Sequence, residues 1–365
     1  AHCVRVTLCG VVASRIVFEN DTLVVVVAGV SGNIGSGDVV LVSDTGAVVT
    51  KIGGFSYLSA GILTDVTPNQ GQLGTRVVLR GSQLLGGGTT LTSVKLGNVS
   101  ATIIGSYNDT YVVVRAGESV NIGSGDILLV SDTGSLVERI NGWTYNRASM
   151  ILGVQPSSGQ EGTLVAISGT DLFGVANGTS IVSVTLGNVE VGAILPGSTS
   201  TSINVRVAAL NTSTVVSGDV VVTADSGAVA RLSGWQYLVP GVVESVSPNF
   251  GQIGTRVSIR GQRMLGGGAF ADSVTLGGIS ARIISSNNTL IVVEASADLS
   301  GIDRVGNVIL TSDSGAVVRA LDAWTYKAAS SISSVTPSYG CVCVCVCVCV
   351  CVCVCVCVCV CVCVC

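Results

Sequence analysis

Nearly the same message of about ninety residues is written into this chain almost four times, and no other feature limits its fold so tightly. Three openings match: Val66-Thr-Pro-Asn-Gln-Gly-Gln-Leu-Gly-Thr75, Val154-Gln-Pro-Ser-Ser-Gly-Gln-Glu-Gly-Thr163 and Val246-Ser-Pro-Asn-Phe-Gly-Gln-Ile-Gly-Thr255. A fourth starts at Val335-Thr-Pro-Ser-Tyr-Gly340. Their prolines, Pro68, Pro156, Pro248 and Pro337, lie 88, 92 and 89 residues apart. The aromatic pairs that close each unit, Phe55/Tyr57, Trp143/Tyr145, Trp235/Tyr237 and Trp324/Tyr326, keep the same spacings. Two independent landmarks on one period mean tandem copies of one fold. The period is long enough for a small β-sandwich with its own core and too long for one turn of a solenoid.

Composition narrows the class. Charged residues make up 11% of the chain and the net charge is -4. A mildly acidic chain without a basic block has no electrostatic footprint for nucleic acid or for an anionic membrane surface. Forty-seven glycines punctuate short runs of Val, Ile, Leu and Thr, which predicts many short strands joined by tight turns. No segment reads as a long amphipathic helix. The sequence shows neither an initiator Met nor a signal peptide. Val6-Thr-Leu-Cys-Gly10 aligns with Val94-Lys-Leu-Gly-Asn98, 88 residues later, so the chain starts about a third of the way into a repeat. It enters another at Ile332 and leaves it at Gly340, and we expect a piece of a longer array.

From Cys341 to Cys365 the chain alternates Cys and Val, which accounts for 13 of its 15 cysteines; the others are Cys3 and Cys9. Its 25 uncharged residues meet a membrane-span length, but basic and aromatic anchors are missing. On an extended strand, cysteines two apart line one face at ~6.6 Å, which suits neither a tetrahedral metal site nor bridges between neighbours. Translation of a TG dinucleotide repeat is the preferred reading of this low-complexity tract. Residues 10–340 have no cysteine, so packing rather than disulfides must hold the units together, and redox chemistry gives no argument about secretion.

In the unit 61–147, Val77 and Leu79 alternate with Arg76, Val78 and Arg80, the pattern of a half-buried strand. Val165/Ile167 and Val257/Ile259 repeat it. Six more strands are predicted at 62–67, 93–96, 101–106, 110–115, 126–131 and 136–145. Turn signals at Gly86-Gly-Gly88, Asn108-Asp109 and Asp132-Thr-Gly134 separate them. About seven short strands in such a length describe an immunoglobulin-like sandwich, here without the Cys…Trp…Cys framework of true immunoglobulin domains.

These landmarks in this order resemble the IPT/TIG domain: Val-x-Pro-x-x-Gly-x-x-Gly-Thr, a Val-x-Ile/Leu-x-Gly strand, Leu-Leu-Gly-Gly-Gly, Ser-Val-x-Leu-Gly, Ser-Asp-x-Gly and Trp-x-Tyr. The resemblance implies an all-β chain of tandem immunoglobulin-like, E-set-like sandwiches in a linear rod. The expected division is a partial domain over 1–59, domains over 61–147, 150–239 and 241–328, the start of another over 332–340, and the low-complexity tail over 341–365. The third unit departs at Leu172-Phe-Gly-Val-Ala-Asn-Gly178, where the triple glycine is missing and a longer loop is expected.

Catalytic machinery is not expected. The one histidine, His2, lies at the chain's start, so no Ser-His-Asp or Cys-His set can be assembled. Asp38/Asp44, Asp126/Asp132 and Asp219/Asp225 stand six apart, with Asn307/Asp313 in the last unit. Carboxylates at opposite ends of one strand do not converge on Ca²⁺, which needs six to eight oxygens. They read instead as turn residues, the second capping a Ser-Asp-x-Gly-type turn. No metal and no cofactor are expected. Six sequons, at Asn20, Asn98, Asn108, Asn177, Asn211 and Asn287, are candidate N-glycosylation sites. Asn20, Asn108 and Asn287 share one turn before a Thr-x-Val strand, a place that also suits Asn as a plain turn former. Arg76, Arg80, Arg256, Arg260 and Arg263 read as solvated face residues, and the third unit has Leu164 and Ser168 in place of the first two.

Linkers of four to five residues between Tyr57 and Ile62, Tyr145 and Ile151, Tyr237 and Val242, and Tyr326 and Ile332 should leave neighbouring units touching. By resemblance to plexin-like and hepatocyte growth factor receptor ectodomains, the expected role is an extracellular or cell-surface structural, adhesion or ligand-binding array. It would be membrane-anchored in the full-length protein and have protein or glycan ligands and no nucleic-acid partner. Binding is expected on variable loops, above all 173–179. The alternative is a set of accessory domains in a larger carbohydrate-active enzyme, as in some starch-active enzymes. Intracellular DNA binding is disfavoured by the charge. Ligand identity and oligomeric state are not written in these residues.

Overall fold

Runs of β-branched residues with an apolar step of two become strands wherever a Gly or Asx turn ends them. The computed structural model describes residues 2–175, 177–336 and 338, together with the backbone of strands 342–348 and 358–364. Ala176 of the third-unit loop and the landmarks Pro337 and Gly340 lie outside the described residues. All regular elements among the described residues are β-strands.

The second unit shows the pattern. Its strands run in the spatial order 62–67, 76–82, 111–115, 99–103, 91–96, 123–131, 136–145 and 70–71. The strand Val99–Ile103 is the corner: its start pairs with Leu91–Leu96 and its end with Tyr111–Arg115, so one hydrogen-bonded ribbon folds into two facing layers. All pairings are antiparallel except Gln70–Gly71, which runs parallel to Thr144–Tyr145. The fourth unit repeats this eight-strand order. In the third, the corner breaks into Val189–Glu190 and Ala193–Ile194, which leaves separate sheets of five and four strands.

The second, third and fourth sandwiches each close their own core, and no cluster of buried residues among the described residues is shared between them. Val77 and Leu79 point inward with no exposed surface, as expected, and meet Val94, Leu96, Ile127 and Trp143 from the other layer. Trp143 and Tyr145, two apart on one strand, face the same core and stack edge to face, with ring centroids 5.6 Å apart at 82°. Trp235/Tyr237 and Trp324/Tyr326 do the same at 5.8 and 5.5 Å.

The first unit has the sheet 11–12, 3–8, 35–43, 48–57 and the pair 15–19, 24–27. Its sequence contains no counterpart of the strands 62–67 and 76–82. A cleft of about 390 Å³ lined by Val6, Leu8, Val24, Val26, Leu41 and Val49 lies open there. Its lining comes from both the sheet and the pair. In the tail, backbone pairing is antiparallel, from Val342 with Val364 to Val348 with Val358.

Candidate functional site

The six sequon asparagines are all exposed. Asn20, Asn108 and Asn287 adopt one local geometry. The Asn20 side-chain oxygen accepts from Thr22 N–H at 2.9 Å, Thr22 Oγ1 at 3.0 Å and Leu23 N–H at 2.8 Å. Asn287 accepts from Thr289 N–H, Thr289 Oγ1 and Leu290 N–H at nearly the same distances, and Asn108 from Thr110 N–H and Oγ1, both at 2.9 Å. This is an Asx turn that uses only the carbonyl end of the carboxamide. The Nδ2 end, where a glycan would attach, donates to nothing among the described residues. Asn98 and Asn177 take left-handed backbone angles, φ 68° and 58°, within tight turns.

The paired aspartates do not converge; they serve opposite ends of a strand. Between Gly125 and Ile127 the ladder shifts register, and Asp126 Oδ1 accepts the Asn141 N–H at 2.8 Å across this irregularity. Asp38 does the same for Gly53, and in the fourth unit Asn307 does it for Asp322, both at 2.9 Å. A neutral carboxamide doing the work of a carboxylate marks a hydrogen-bond acceptor. In the second and third units the second aspartate bonds to a facing loop and not to its own turn. Asp132 accepts from Thr89 Oγ1 at 2.6 Å and from the Thr89 and Thr90 N–H groups, so it ties the facing loop down. Asp225 holds Thr179 and Ser180 in the same way, and the Thr179 hydroxyl draws its carboxyl down to about 2. Among the described residues no group of three His, Cys, Asp or Glu is placed to hold a metal ion. His2 bonds to Glu19 at 2.9 Å. The five arginines are exposed; Arg80 lies over the Tyr111 ring at 5.5 Å and Arg263 Nε donates to the Pro240 carbonyl at 3.1 Å.

The repeated landmarks meet at a place that sequence reasoning missed, the junction between sandwiches. The Gly-Gln-x-Gly-Thr turn of one sandwich receives the Asp-x-Gly hairpin turn of the next. At the first junction Arg76 N–H donates to the Ser226 carbonyl at 3.0 Å, and Val229 N–H donates to the Leu73 carbonyl at 3.1 Å. At the second, Leu164 N–H donates to the Ser314 carbonyl and Val317 N–H to the Glu161 carbonyl, both at 2.8 Å. Arg319 also reaches Glu161, an exposed ion pair of small energetic value. Register and polarity are identical at both junctions.

Two residues of the turn explain why the motif has its spelling. The Thr75 and Thr163 hydroxyls accept the Gln72 and Gln160 N–H at 3.0 and 3.2 Å, which closes the turn. The glutamine side chain then holds the linker. Gln72 Oε1 accepts from Ser149 N–H and its Nε2 donates to Ser149 Oγ, both at 2.6 Å, while Ser149 Oγ donates to the Asp171 carbonyl. Gln160 Oε1 accepts from Gly241 N–H at 2.8 Å and its Nε2 donates to the Val317 carbonyl at 3.3 Å. Both glutamines are 2% exposed, so a side chain that accepts and donates without charge is required. Gly74 and Gly162, each at φ 86°, lie against the Gly227 and Gly315 carbonyls of the neighbour, and a Cβ at either would collide there. The third-unit loop 173–179 also borders a junction: Ser226 Oγ donates to the Phe173 carbonyl at 3.0 Å. A repeated Gln two residues before Gly-Thr was the signal available in the sequence.

Two facing antiparallel layers over one core, repeated along the chain, define an immunoglobulin-like sandwich array. A family model described as IPT/TIG domain matches residues 62–145, 149–234 and 242–320, and the chain belongs to that family. No curated protein matches it. Similar solved structures include the full extracellular region of Plexin A4, at 18% identity over 75% of this chain and 25% of that one, with a TM-score of 0.38. The chain therefore spans about a quarter of that protein's length. The surface glycan-binding protein SGBP-B of Bacteroides ovatus, in complex with a mixed-linkage heptasaccharide, matches at 12% identity. That match covers 73% of this chain and 68% of the other, with a TM-score of 0.22. The N-terminal eight immunoglobulin domains of Down Syndrome Cell Adhesion Molecule match at 13% identity over 85% and 42%, with a TM-score of 0.21.

Proposed function

We propose that this chain is a non-catalytic part of an extracellular or cell-surface protein, in which IPT/TIG sandwiches hold fixed spacings and present their loops to protein or glycan ligands. The observation that carries the reading is the junction, made twice in one register from two backbone hydrogen bonds and a buried glutamine. Each backbone bond contributes ~0.5–1.5 kcal/mol, and the shared turn geometry favours one relative orientation over free tumbling. Exposed sequons in one recurrent Asx turn support export, because their Nδ2 groups stand clear for a glycan. Exposed apolar loop tips such as Val120 and Leu299, 95% and 94% exposed, are candidate contact points for ligands. Membrane attachment belongs to the full-length protein on this reading.

Expression in a secretory host followed by peptide-N-glycosidase digestion tests the location. A mobility shift on digestion is expected, with loss of one step for each of Asn20→Gln, Asn108→Gln and Asn287→Gln. An exported protein with no sequon occupied contradicts it.

A further inference from the structure

The fourth sandwich carries the same turn as the second and third, and no sandwich described here covers it. The turn is already formed. Thr255 Oγ1 accepts Gln252 N–H at 3.1 Å, and Gly254 N–H donates to the Ala295 carbonyl at 2.8 Å. Gly74 and Gly162 make the equivalent bond to Ala116 and Val207. The linker is seated too: Gln252 Oε1 accepts from Ser330 N–H at 3.0 Å, as Gln72 does from Ser149 and Gln160 from Gly241. What differs is cover. Gly74, Thr75, Gly162 and Thr163 are buried, whereas Gly254 is exposed and Ile253 is 63% exposed. The Ile253 carbonyl and the Arg256 N–H occupy the places of the groups that bond the next sandwich at both junctions, and among the described residues they make no bond outside their own sandwich.

We propose that the turn 252–256 is a docking surface for a further sandwich of the same type, entering after Ser331. The hairpin turn it fits is defined by the two that already dock, Asp225-Ser-Gly-Ala-Val229 and Asp313-Ser-Gly-Ala-Val317. The carbonyl of the Ser receives the Arg256 N–H, and the N–H of the Val is given to the Ile253 carbonyl. The Gly between them faces the neighbour: a Cβ at Gly227 would meet the Gly74 carbonyl and the Arg76 N–H, and one at Gly315 the Gly162 carbonyl and the Leu164 N–H. Gly254 leaves the room required. Nothing lies within 4 Å of a Cβ built there, while at Gly74 and Gly162 that space holds the neighbour's carbonyl. The partner is thus recognised by backbone polarity and by the absence of a side chain at its turn glycine, not by charge.

The test compares amide hydrogen exchange at Arg256 in the full chain with a chain in which a copy of residues 151–239 follows Ser331. This keeps the register of Ser149-Met150-Ile151 in the linker. Arg256 exchange should slow at least about tenfold in the extended chain. Gly254→Asn in the extended chain should return it to the parent rate, since Asn tolerates the positive φ of 83° but its Cβ would take the place of the docked carbonyl. Should Asn disturb the turn itself, Gly227→Asn in the appended copy alone should give the same loss of protection, since its positive φ of 84° suits Asn while its Cβ would meet the docked backbone. An Arg256 amide that exchanges equally fast with and without the appended copy overturns the proposal. So does protection that survives both substitutions.

Discussion

Arg76 gives its backbone N–H to the Ser226 carbonyl, and Leu164 gives its own to the Ser314 carbonyl, each across 150 residues of sequence. The same bond at two junctions means that the spacing between repeats is set by local chemistry and not by linker length alone. An immunoglobulin-like sandwich offers few ways to fix its neighbour, because its sheets are saturated and its ends are loops. Here the loops are pinned. Thr75 closes one turn, Asp225 ties the hairpin turn that meets it to a loop of its own sandwich, and glutamine locks the linker between them.

Removing the lock should weaken the contact without unfolding either core. Gln160→Ala leaves the Gly241 N–H without its partner at a half-buried site, at a cost of about 1–3 kcal/mol. We expect faster proteolysis in the segment 238–241 with little change in the unfolding temperature of the sandwiches. Gln252→Ala, whose side chain holds Ser330 instead, should leave proteolysis of 238–241 unchanged.

The strand aspartates should behave as acceptors and not as metal ligands. Asp126→Asn should keep the bond to Asn141 N–H, because Asn307 already performs that task in the fourth sandwich. Asp126→Ala should cost about 1 kcal/mol. Melting curves of both variants with calcium and with a chelator should overlay; a shift of several degrees with calcium contradicts this account.

Much of this was legible in the sequence, and what was not has a physical reason. The period and the closing aromatic pairs fixed the number and class of the units, because a core needs the same large side chains at the same places each time. Alternation placed Val77 and Leu79 inside, since a strand has a period of two. The parallel strand Gln70–Gly71 escaped notice because two residues carry no period. The sequence suggests that Asp132 caps its own turn, while its partners Thr89 and Thr90 come from a loop 42 or 43 residues earlier, a contact that only the fold creates. The junction escaped for the same reason. Its glutamine looks like one more polar turn residue until the next sandwich lies against it.

High pH should unfold the chain through its tyrosines. Burial pushes the Tyr145 and Tyr237 phenols up to about 12 and raises Tyr326 as well. An unfolded tyrosine ionises near ~10. The fold therefore favours the neutral phenol; that stability is complete below pH ~10 and is lost as pH rises towards about 12. Phenolate absorbance should show these three and Tyr57, which burial also raises, ionising late among the seven tyrosines, together with loss of the β signal in circular dichroism. All seven titrating near ~10 in a folded chain contradicts the burial argument.

Acid should act through the opposite sign. The Thr179 hydroxyl holds Asp225 at about 2, and the Thr89 hydroxyl lowers Asp132. Both carboxylates add stability above the unfolded value of ~4, which is lost as pH falls below it, for Asp225 towards about 2. Asp225→Ala should flatten the acid limb of the stability curve for the third sandwich; an unchanged limb counts against the role assigned to Thr179.

The most direct measurement is amide hydrogen exchange at Arg76, Leu164, Val229 and Val317, the four donors of the junction bonds. The account predicts that all four are protected in the intact chain. Gly162→Asn should release Leu164 and Val317 while leaving Arg76 and Val229 slow. Exchange at free-peptide rates for these four amides, within sandwiches whose cores remain protected, would mean that the units are beads on a string and that the junction described here does not hold them.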